Sequence, residues 1–213
     1  GKAARKKDGS IAKSKIAEVA DVVATQVRLA HELGAEAIRI VATAAVREAA
    51  NGEKMAAQIA DAAGLPVEIL SEEEEGRLAF IGATKGLAHP VDGDIGVVDV
   101  GGGSSEVILG TIADGVRKVH SFPIGSGSLA EEYIKGDPPG PAEIRKLRDH
   151  IEEVFSGVDV GCPEQAVAVG GSATSLRRLV GSVLEYETLE RGIRVLTSDS
   201  AAEVAQRFEL DVR

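Results

Sequence analysis

The clearest sign of chemistry in this chain is a glycine-rich turn between two apolar segments. Asp99 stands just before the turn, Gly101–Gly103 form it, and Glu106 follows it. Three consecutive glycines allow backbone N–H groups to converge on an anion with no Cβ atom in the way. The two flanking carboxylates are suitable ligands for a hard cation such as Mg²⁺, bound directly or through water. The pattern therefore predicts a turn that holds a phosphate and its metal ion.

The same glycines also suit an ordinary hairpin loop, so the segment that follows them matters. Residues 107–112 (Val-Ile-Leu-Gly-Thr-Ile) are typical of a strand. A dinucleotide-binding fingerprint and a Walker loop both require a helix there, and the Walker loop also requires Gly-Lys-Ser/Thr. The sequence thus argues against both and favours a strand–turn–strand unit that cradles phosphate.

A second glycine-rich strand end lies at Gly170–Gly171, between a predicted strand at 165–169 and a predicted helix that runs to about Val180. The amides and dipole at a helix N-terminus can bind a phosphate or a sugar. Taken alone, the pattern favours an ordinary strand-to-helix turn. Two such strand ends in one sheet are more informative, because ligands gather beyond the carboxyl ends of strands in α/β folds.

Four consecutive glutamates, Glu72–Glu75, follow a predicted helix cap at Ser71. Acidic residues are common in the first turn of a helix, so most of the four are expected to be solvated. One of them remains a candidate base, since a carboxylate beside a phosphate can activate water. Arg47 follows a predicted strand. It could form an ion pair with Glu48 or with helix neighbours, or it could bind a phosphate in a bidentate manner.

Composition narrows the class of protein. The chain has 213 residues, 44 % of them apolar, which is enough to bury a core, and it carries a net charge of −10. That charge argues against generic nucleic-acid binding. The sequence contains no candidate membrane span or signal segment, and its single cysteine, Cys162, cannot form an intrachain disulfide. We therefore expect a cytoplasmic protein with no DNA or membrane partner.

The pattern of elements predicts an α/β fold. Helices and strands alternate from about residue 11 to about residue 78, which favours a parallel layer. After a connection at 86–93, three strands linked by short turns are predicted, then helices, one more strand and a last helix capped at Ser198 or Ser200. Residues 1–10 are predicted to be a mobile end. The strands are predicted at 37–42, 66–70, 95–100, 107–112, 116–124 and 165–169, and helices at 16–33, 44–50, 53–63, 129–134, 141–155 and 198–208. Two further helices are predicted, one that starts at Ser71 and one that follows the turn at 170–174 and runs to about Val180.

Five segments together resemble the Ppx/GppA phosphatase family, the exopolyphosphatases and guanosine pentaphosphate phosphohydrolases of the actin-like ATPase superfamily. Their order and spacing match the family from about Ile11 to the end of the chain. The segments are VATAAVREA at 41–49, ILSEEEEGRL at 69–78, VDVGGGSSE at 98–106, FPIG at 122–125 and VGGSAT at 169–174.

The resemblance implies a role for each candidate residue. Glu75 matches the catalytic glutamate that activates water, and Arg47 matches a phosphate-binding arginine. Asp99 and Glu106 match the carboxylates that hold the metal ion, Mg²⁺ or Mn²⁺. Residues 170–174 match the loop that closes the nucleotide side in related kinases. The phosphate-binding positions implied, besides Arg47, are Gly101, Gly102, Gly103, Ser104, Gly170, Gly171 and Ser172.

The implied fold is the actin-like (ribonuclease H-like) α/β fold, with a partial domain I at residues 1–78 and most of domain II at 79–213. The family opens with a strand and a first phosphate loop, Asp-x-Gly-Ser-Asn-Ser. Asp8-Gly9-Ser10 follows no predicted strand, and no other segment of the sequence matches that loop. We therefore expect an excerpt that lacks one side of the phosphate clamp and that is impaired as an enzyme by itself.

The implied activity is release of orthophosphate from the end of inorganic polyphosphate, in a cleft between the two domains where the candidate residues converge. Two alternatives use the same loops: hydrolysis of guanosine pentaphosphate (pppGpp) in the stringent response, and a non-catalytic sensor that binds (p)ppGpp or polyphosphate. An actin-like ATPase or sugar kinase is disfavoured, because the sequence shows no residues that mark a sugar site. A homodimer is one assembly that the sequence allows.

Overall fold

The structure is a computed structural model that describes residues 8–87 and 91–210. The predictions of a mobile end at 1–10 and a connection at 86–93 fall partly on residues 1–7 and 88–90, which lie outside the described residues. The chain forms two compact units, Gly1–Glu75 (unit 1) and Gly76–Arg213 (unit 2). The boundary expected from the sequence lies three residues further along, within the same helix, Glu72–Lys85 (α4).

Unit 1 is a small α/β layer around a two-stranded parallel sheet. β1 and β2 pair in register, with Ile40 opposite Val67, and α1 packs on α3 through a core that includes Ile16, Met55 and Ile59. The parallel pairing confirms the layer predicted from alternating helices and strands. Both strands are shorter than predicted, because only three residues of each find a ladder partner in the other. The elements are α1 (Lys13–Glu32), β1 (Ile40–Ala42), α2 (Ala44–Arg47), α3 (Gly52–Ala63) and β2 (Val67–Ile69).

Unit 2 is built on a four-stranded mixed sheet with the strand order β5-β4-β3-β6. Strands β3, β4 and β5 are antiparallel neighbours, and β6 runs parallel to β3. Ile95, Val97 and Ile108 are fully buried in its core. The elements are β3 (Ile95–Val100), β4 (Ser105–Thr111), β5 (Gly115–Phe122), α5 (Ser126–Tyr133), α6 (Pro141–Phe155), β6 (Gln165–Val169), α7 (Gly170–Val180), α8 (Tyr186–Leu196) and α9 (Ala201–Phe208).

Helix α8 is the element that the sequence does not predict. Its interior contains Gly192, and glycine lowers helix propensity by roughly 1 kcal/mol relative to alanine. The structure shows why a small residue stands there: a Cβ atom at position 192 would lie 3.1 Å from Val180 Cγ1 of α7. An ion pair of 2.7 Å between Arg148 and Glu190 also ties α8 to α6. Packing against neighbouring helices therefore outweighs local propensity.

The length and composition of the helices show whether any of them could span a membrane. Within the part of the chain that the structure describes, no helix is both long enough and apolar enough to cross a bilayer.

Candidate active site

The glycine turn connects β3 to β4, and the register of these two strands determines where the flanking carboxylates lie. Asp99 and Glu106 are directly opposite partners, so their side chains lie on the same face of the sheet. Glu106 is only 3 % exposed, and the Ser121 hydroxyl on β5 donates a hydrogen bond to its Oε1 at 3.2 Å. Ser121 is in turn the ladder partner of Glu106. Three polar residues thus form a row across three strands beside the turn.

The turn itself is closed by a hydrogen bond of 3.0 Å from the Gly101 amide to the Ser104 carbonyl. Gly102 and Gly103 are exposed, whereas Ser104 is buried. Within residues 8–87 and 91–210, the N–H groups of Gly102 and Gly103 donate to no protein acceptor. Two adjacent exposed amides on a closed turn are suited to binding an anionic oxygen.

The second glycine-rich strand end lies beside the first. Gly170 begins α7 with φ at +89°, and a Cβ atom there would lie 2.7 Å from Asp99 Oδ1. Gly171 and Ser172, at the N-terminus of α7, line a cavity of about 820 Å³ together with Gly101 and Gly102. The structure thus brings the two predicted glycine-rich strand ends of unit 2 to one cavity.

The close approach at Gly170 predicts an asymmetric response to alanine. Gly170→Ala combines a positive φ with a collision against Asp99, so it should lower the free energy of unfolding by about 1–3 kcal/mol. Gly171→Ala is the matched control, because a Cβ atom at 171 meets no atom within 4 Å. Chemical denaturation of both variants measures the difference. Equal stability of the two would contradict the close approach.

Arg47 and Glu75 form a half-buried ion pair within unit 1. Arg47 Nη1 donates to Glu75 Oε2 and to the Leu70 carbonyl, both at 2.8 Å, and each side chain is 19 % exposed. Arg47 Nη2 lies 3.8 Å from Glu72 Oε1. This Nη2 atom is buried and has no hydrogen-bond partner within the described residues. The guanidinium is therefore fixed on one side and retains donor capacity on the other.

Comparison with known proteins decides the family. The model of the Ppx/GppA phosphatase family matches residues 2–203. The chain belongs to this family. Exopolyphosphatase 1 of Mycobacterium leprae is 30% identical over 179 residues, which are 82% of this chain and 52% of that protein. Exopolyphosphatase 2 of Mycobacterium tuberculosis is 32% identical over 183 residues, 82% of this chain and 56% of that protein. The chain spans about half the length of the curated relatives it matches.

The crystal structure of the Ppx/GppA family member from Aquifex aeolicus superposes with a TM-score of 0.76 at 30% identity, covering 95% of this chain and 69% of that one. An exopolyphosphatase-like protein superposes with a TM-score of 0.79 at 25% identity, covering 97% of this chain and 70% of that one. The resemblance to the Ppx/GppA family and the expected actin-like α/β fold are confirmed.

Asp99 and Glu106 fit the metal site that the Ppx/GppA resemblance implies. Within the described residues, no group of three or more histidine, cysteine, aspartate or glutamate side chains is arranged to hold a metal ion. Mg²⁺ does not need one, because it usually binds one or two carboxylates and takes its other ligands from water and substrate phosphates. A facing pair of carboxylates beside exposed amides suits a metal ion that arrives with a phosphate.

The structure places every implied site residue, but it groups them by unit. Arg47 and Glu75 meet in unit 1, and the residues of the two glycine-rich ends meet in unit 2. Convergence of both groups on one cleft stays a prediction. The sequence does not point to Ser121, which donates to Glu106, or to Ser126, which lines the same cavity as the glycine turn. A strand register drawn outward from Glu106 would have found Ser121, because it is the next partner in the sheet.

Proposed function

We propose that this protein releases orthophosphate from the end of inorganic polyphosphate by hydrolysis of the terminal phosphoanhydride bond. The observation that carries this proposal is the cavity in unit 2, which is lined by the glycine turn and by the N-terminus of α7. The two carboxylates that flank the turn, Asp99 and Glu106, are opposite partners in the sheet that leads into it. Amides and helix N-termini bind phosphate oxygens without needing a positive side chain. Such a site suits a polyanionic substrate even on a chain of net charge −10.

The carboxylates Asp99 and Glu106 are proposed to hold Mg²⁺ or Mn²⁺ on the substrate phosphates. Such a cation, when bound there, would neutralise the charge that develops on the leaving phosphate. The Ser121 hydroxyl donates a hydrogen bond to one oxygen of Glu106, which restricts the orientation of that carboxylate. The amides of Gly102 and Gly103 hold non-bridging oxygens by hydrogen bonds that strengthen as negative charge accumulates.

Glu75 is proposed as the general base. It accepts a proton from water while the water oxygen attacks the terminal phosphorus. The bond between that phosphorus and the bridging oxygen breaks, and the bridging oxygen remains on the shortened chain. Arg47 orients Glu75 through the hydrogen bond from Nη1 to Oε2. Its buried Nη2 group makes no hydrogen bond within the described residues and is proposed to donate to a phosphate oxygen of the bound substrate.

Hydrolysis of pppGpp is the second candidate, and the shape of the same cavity supports it. Beyond the glycines, its wall includes the apolar side chains of Leu176, Leu179 and Leu196, with Arg178 beside them. A nucleoside attached to the phosphates would find apolar contacts there.

Phosphate release from polyphosphate, pppGpp and ATP, measured side by side on the full-length protein with Mg²⁺, tests the proposal. We expect the highest kcat/KM with polyphosphate. A preference for pppGpp would favour the second candidate. Binding of either ligand without release would favour the non-catalytic sensor, and ATP as the best substrate would favour an ATPase. Each of these three outcomes overturns the proposed function.

If Asp99 is a metal ligand, its replacement should lower the affinity of the protein for the metal ion. Asp99→Asn removes one anionic ligand and should weaken Mn²⁺ binding, measured by EPR with tripolyphosphate present, by about 10- to 100-fold or more. Asp114→Asn is the control, because Asp114 is exposed and pairs with Thr111 at the hairpin between β4 and β5. Unchanged Mn²⁺ affinity in Asp99→Asn would contradict the assignment.

A further inference from the structure

The N-terminus of α5 lies against the glycine turn, and it does so without side chains between the two backbones. Gly125 is the N-cap residue of α5. A Cβ atom at position 125 would lie 2.5 Å from the Gly103 nitrogen, 2.6 Å from the Gly102 carbonyl carbon and 2.7 Å from the Gly101 oxygen. These distances are far below van der Waals contact, and all three atoms are backbone. Only glycine allows this approach.

Hydrogen bonds hold the two segments together. The Ser126 amide and hydroxyl both donate to the Gly101 carbonyl, at 2.9 Å and 3.1 Å. The Ser128 amide donates to the Gly102 carbonyl at 2.9 Å. Amides in the first turn of a helix have no acceptor within the helix, and the helix dipole is positive there. The turn carbonyls therefore use the N-terminus of α5, which is then not available as a second anion site.

The position of these carbonyls dictates where the turn amides point. In a planar trans peptide, the C=O and N–H bonds point in opposite directions. The Gly101 carbonyl shares a peptide group with the Gly102 amide, and the Gly102 carbonyl shares one with the Gly103 amide. Since both carbonyls are directed at α5, both amides are directed away from it, and both residues are exposed.

We propose that the N-terminus of α5 is the device that orients the phosphate-binding amides of the turn, with Gly125 and Ser126 as positioning residues. The inference rests on the proposed function, in which Gly102 and Gly103 bind phosphate. A run of three glycines has wide conformational freedom, and fixing it at the moment of binding would weaken affinity. Contact with α5 fixes the turn beforehand, which is preorganisation of an anion site.

The surrounding bonds make α5 a firm support. The Gly125 amide donates to Ser128 Oγ at 3.0 Å, which closes the first turn of the helix. One residue earlier, the Ser105 hydroxyl donates to the Ile124 carbonyl at 2.8 Å. Ser105 directly follows the turn and begins β4, so the approach to α5 is attached to the same strand that the turn leads into.

The test uses the 213-residue chain labelled with ¹⁵N-glycine and titrated with inorganic tripolyphosphate in the presence of Mg²⁺. In the unmodified protein, the Gly102 and Gly103 amide resonances should shift on titration. Gly125→Ala should displace the turn, change those resonances before any ligand is added, and weaken tripolyphosphate binding by about tenfold or more. Gly140→Ala is the matched control: Gly140 is the N-cap of α6, and a Cβ atom there meets only Glu143 Oε2, at 3.6 Å.

A milder variant keeps the test decisive if Gly125→Ala does not fold. Ser126→Ala removes only the hydroxyl bond to Gly101 and should weaken binding by about three- to tenfold, since one hydrogen bond contributes about 0.5–1.5 kcal/mol. Ser126→Thr retains a hydroxyl and should restore affinity. Ser198→Ala, which removes another exposed hydroxyl bond to a backbone carbonyl, controls for general loss of stability.

The outcomes separate the two proposals. Tripolyphosphate that shifts Gly102 and Gly103 in the unmodified protein, but binds folded Gly125→Ala and Ser126→Ala with unchanged affinity, overturns the role of α5 and leaves the proposed function standing. Gly102 and Gly103 resonances that do not respond in the unmodified protein overturn phosphate binding at the turn and the role of α5 with it. Weakened binding in both variants, rescue by Ser126→Thr and normal binding by both controls support the inference.

Discussion

Replacement of Glu75 by glutamine is expected to lower kcat for phosphate release from polyphosphate by about 10²- to 10⁴-fold, the usual loss when a general base is removed. Polyphosphate affinity should change little, because glutamine has nearly the same shape and its amide oxygen can still accept from Arg47 Nη1. The measurement is steady-state phosphate release by the full-length protein, together with direct binding of polyphosphate.

The control comes from the same turn of α4. Glu73 has the same charge and lies in the same run of glutamates, but it is exposed. Glu73→Gln should leave both kcat and affinity within about twofold of the unmodified protein, as expected for a solvated surface residue. If Glu75→Gln turned over polyphosphate at the unmodified rate, Glu75 would not be the general base and would be an ordinary first-turn glutamate.

Comparison of these two glutamates shows what sequence reasoning can reach. The run Glu72–Glu75 predicts the start of a helix, and the Ser71 hydroxyl does accept from the Glu74 amide at 3.2 Å. Nothing in the run itself distinguishes one carboxylate from the next. The family resemblance selects Glu75, and the structure shows that Glu75 receives the hydrogen bond from Arg47, 28 residues away in sequence. Such a pairing depends on tertiary packing, which no local pattern encodes.

The bounds of the helices and strands also depend partly on local sequence and partly on tertiary packing. The bounds of β3, β6 and α6 agree with the sequence-based bounds, because Pro141 marks a clear helix start and the two strands are mostly apolar. Helix α7 ends at Val180 as predicted but begins at Gly170, within the turn predicted at 170–174. The sequence does not predict helix α8, whose interior contains Gly192. The structure explains that glycine by its close contact with α7. Local chemistry marks where elements begin and end, and packing decides which weak segments become elements.

The contact between the glycine turn and the N-terminus of α5 is another feature that local sequence patterns do not predict. The segment Phe122–Gly125 contributes to the family resemblance, but its sequence carries no hint of its contact. The structure shows that Gly125 is required because the turn backbone lies within 2.7 Å of where its Cβ atom would be. A glycine whose partner lies more than twenty residues earlier in the chain is visible only once β3, β4 and β5 are paired.

Arg47 carries the second large prediction, because its guanidinium is held by two acceptors and retains one unused donor group. Arg47→Lys retains the positive charge and can keep a bond to Glu75 or to the Leu70 carbonyl, but a single ammonium cannot also replace Nη2. If Nη2 binds a phosphate oxygen, its loss removes a charge-assisted hydrogen bond of about 1.5–3 kcal/mol, so kcat/KM for polyphosphate should fall roughly 10- to 100-fold.

Arg39→Lys tests whether that loss is specific to the site. Arg39 lies in the same unit and binds Glu68 Oε2 through Nε at 2.9 Å and Nη2 at 2.7 Å, but both side chains are at least half exposed, at 55% and 50%. Exposed ion pairs contribute about 0–1 kcal/mol, so this variant should retain kcat/KM. Both variants are assayed well below their melting temperatures, so that lost stability does not enter the rates. Equal kcat/KM for Arg47→Lys and Arg39→Lys would show that the buried Nη2 group contacts no substrate, and Arg47 would then serve only to tie Glu75 to the Leu70 carbonyl.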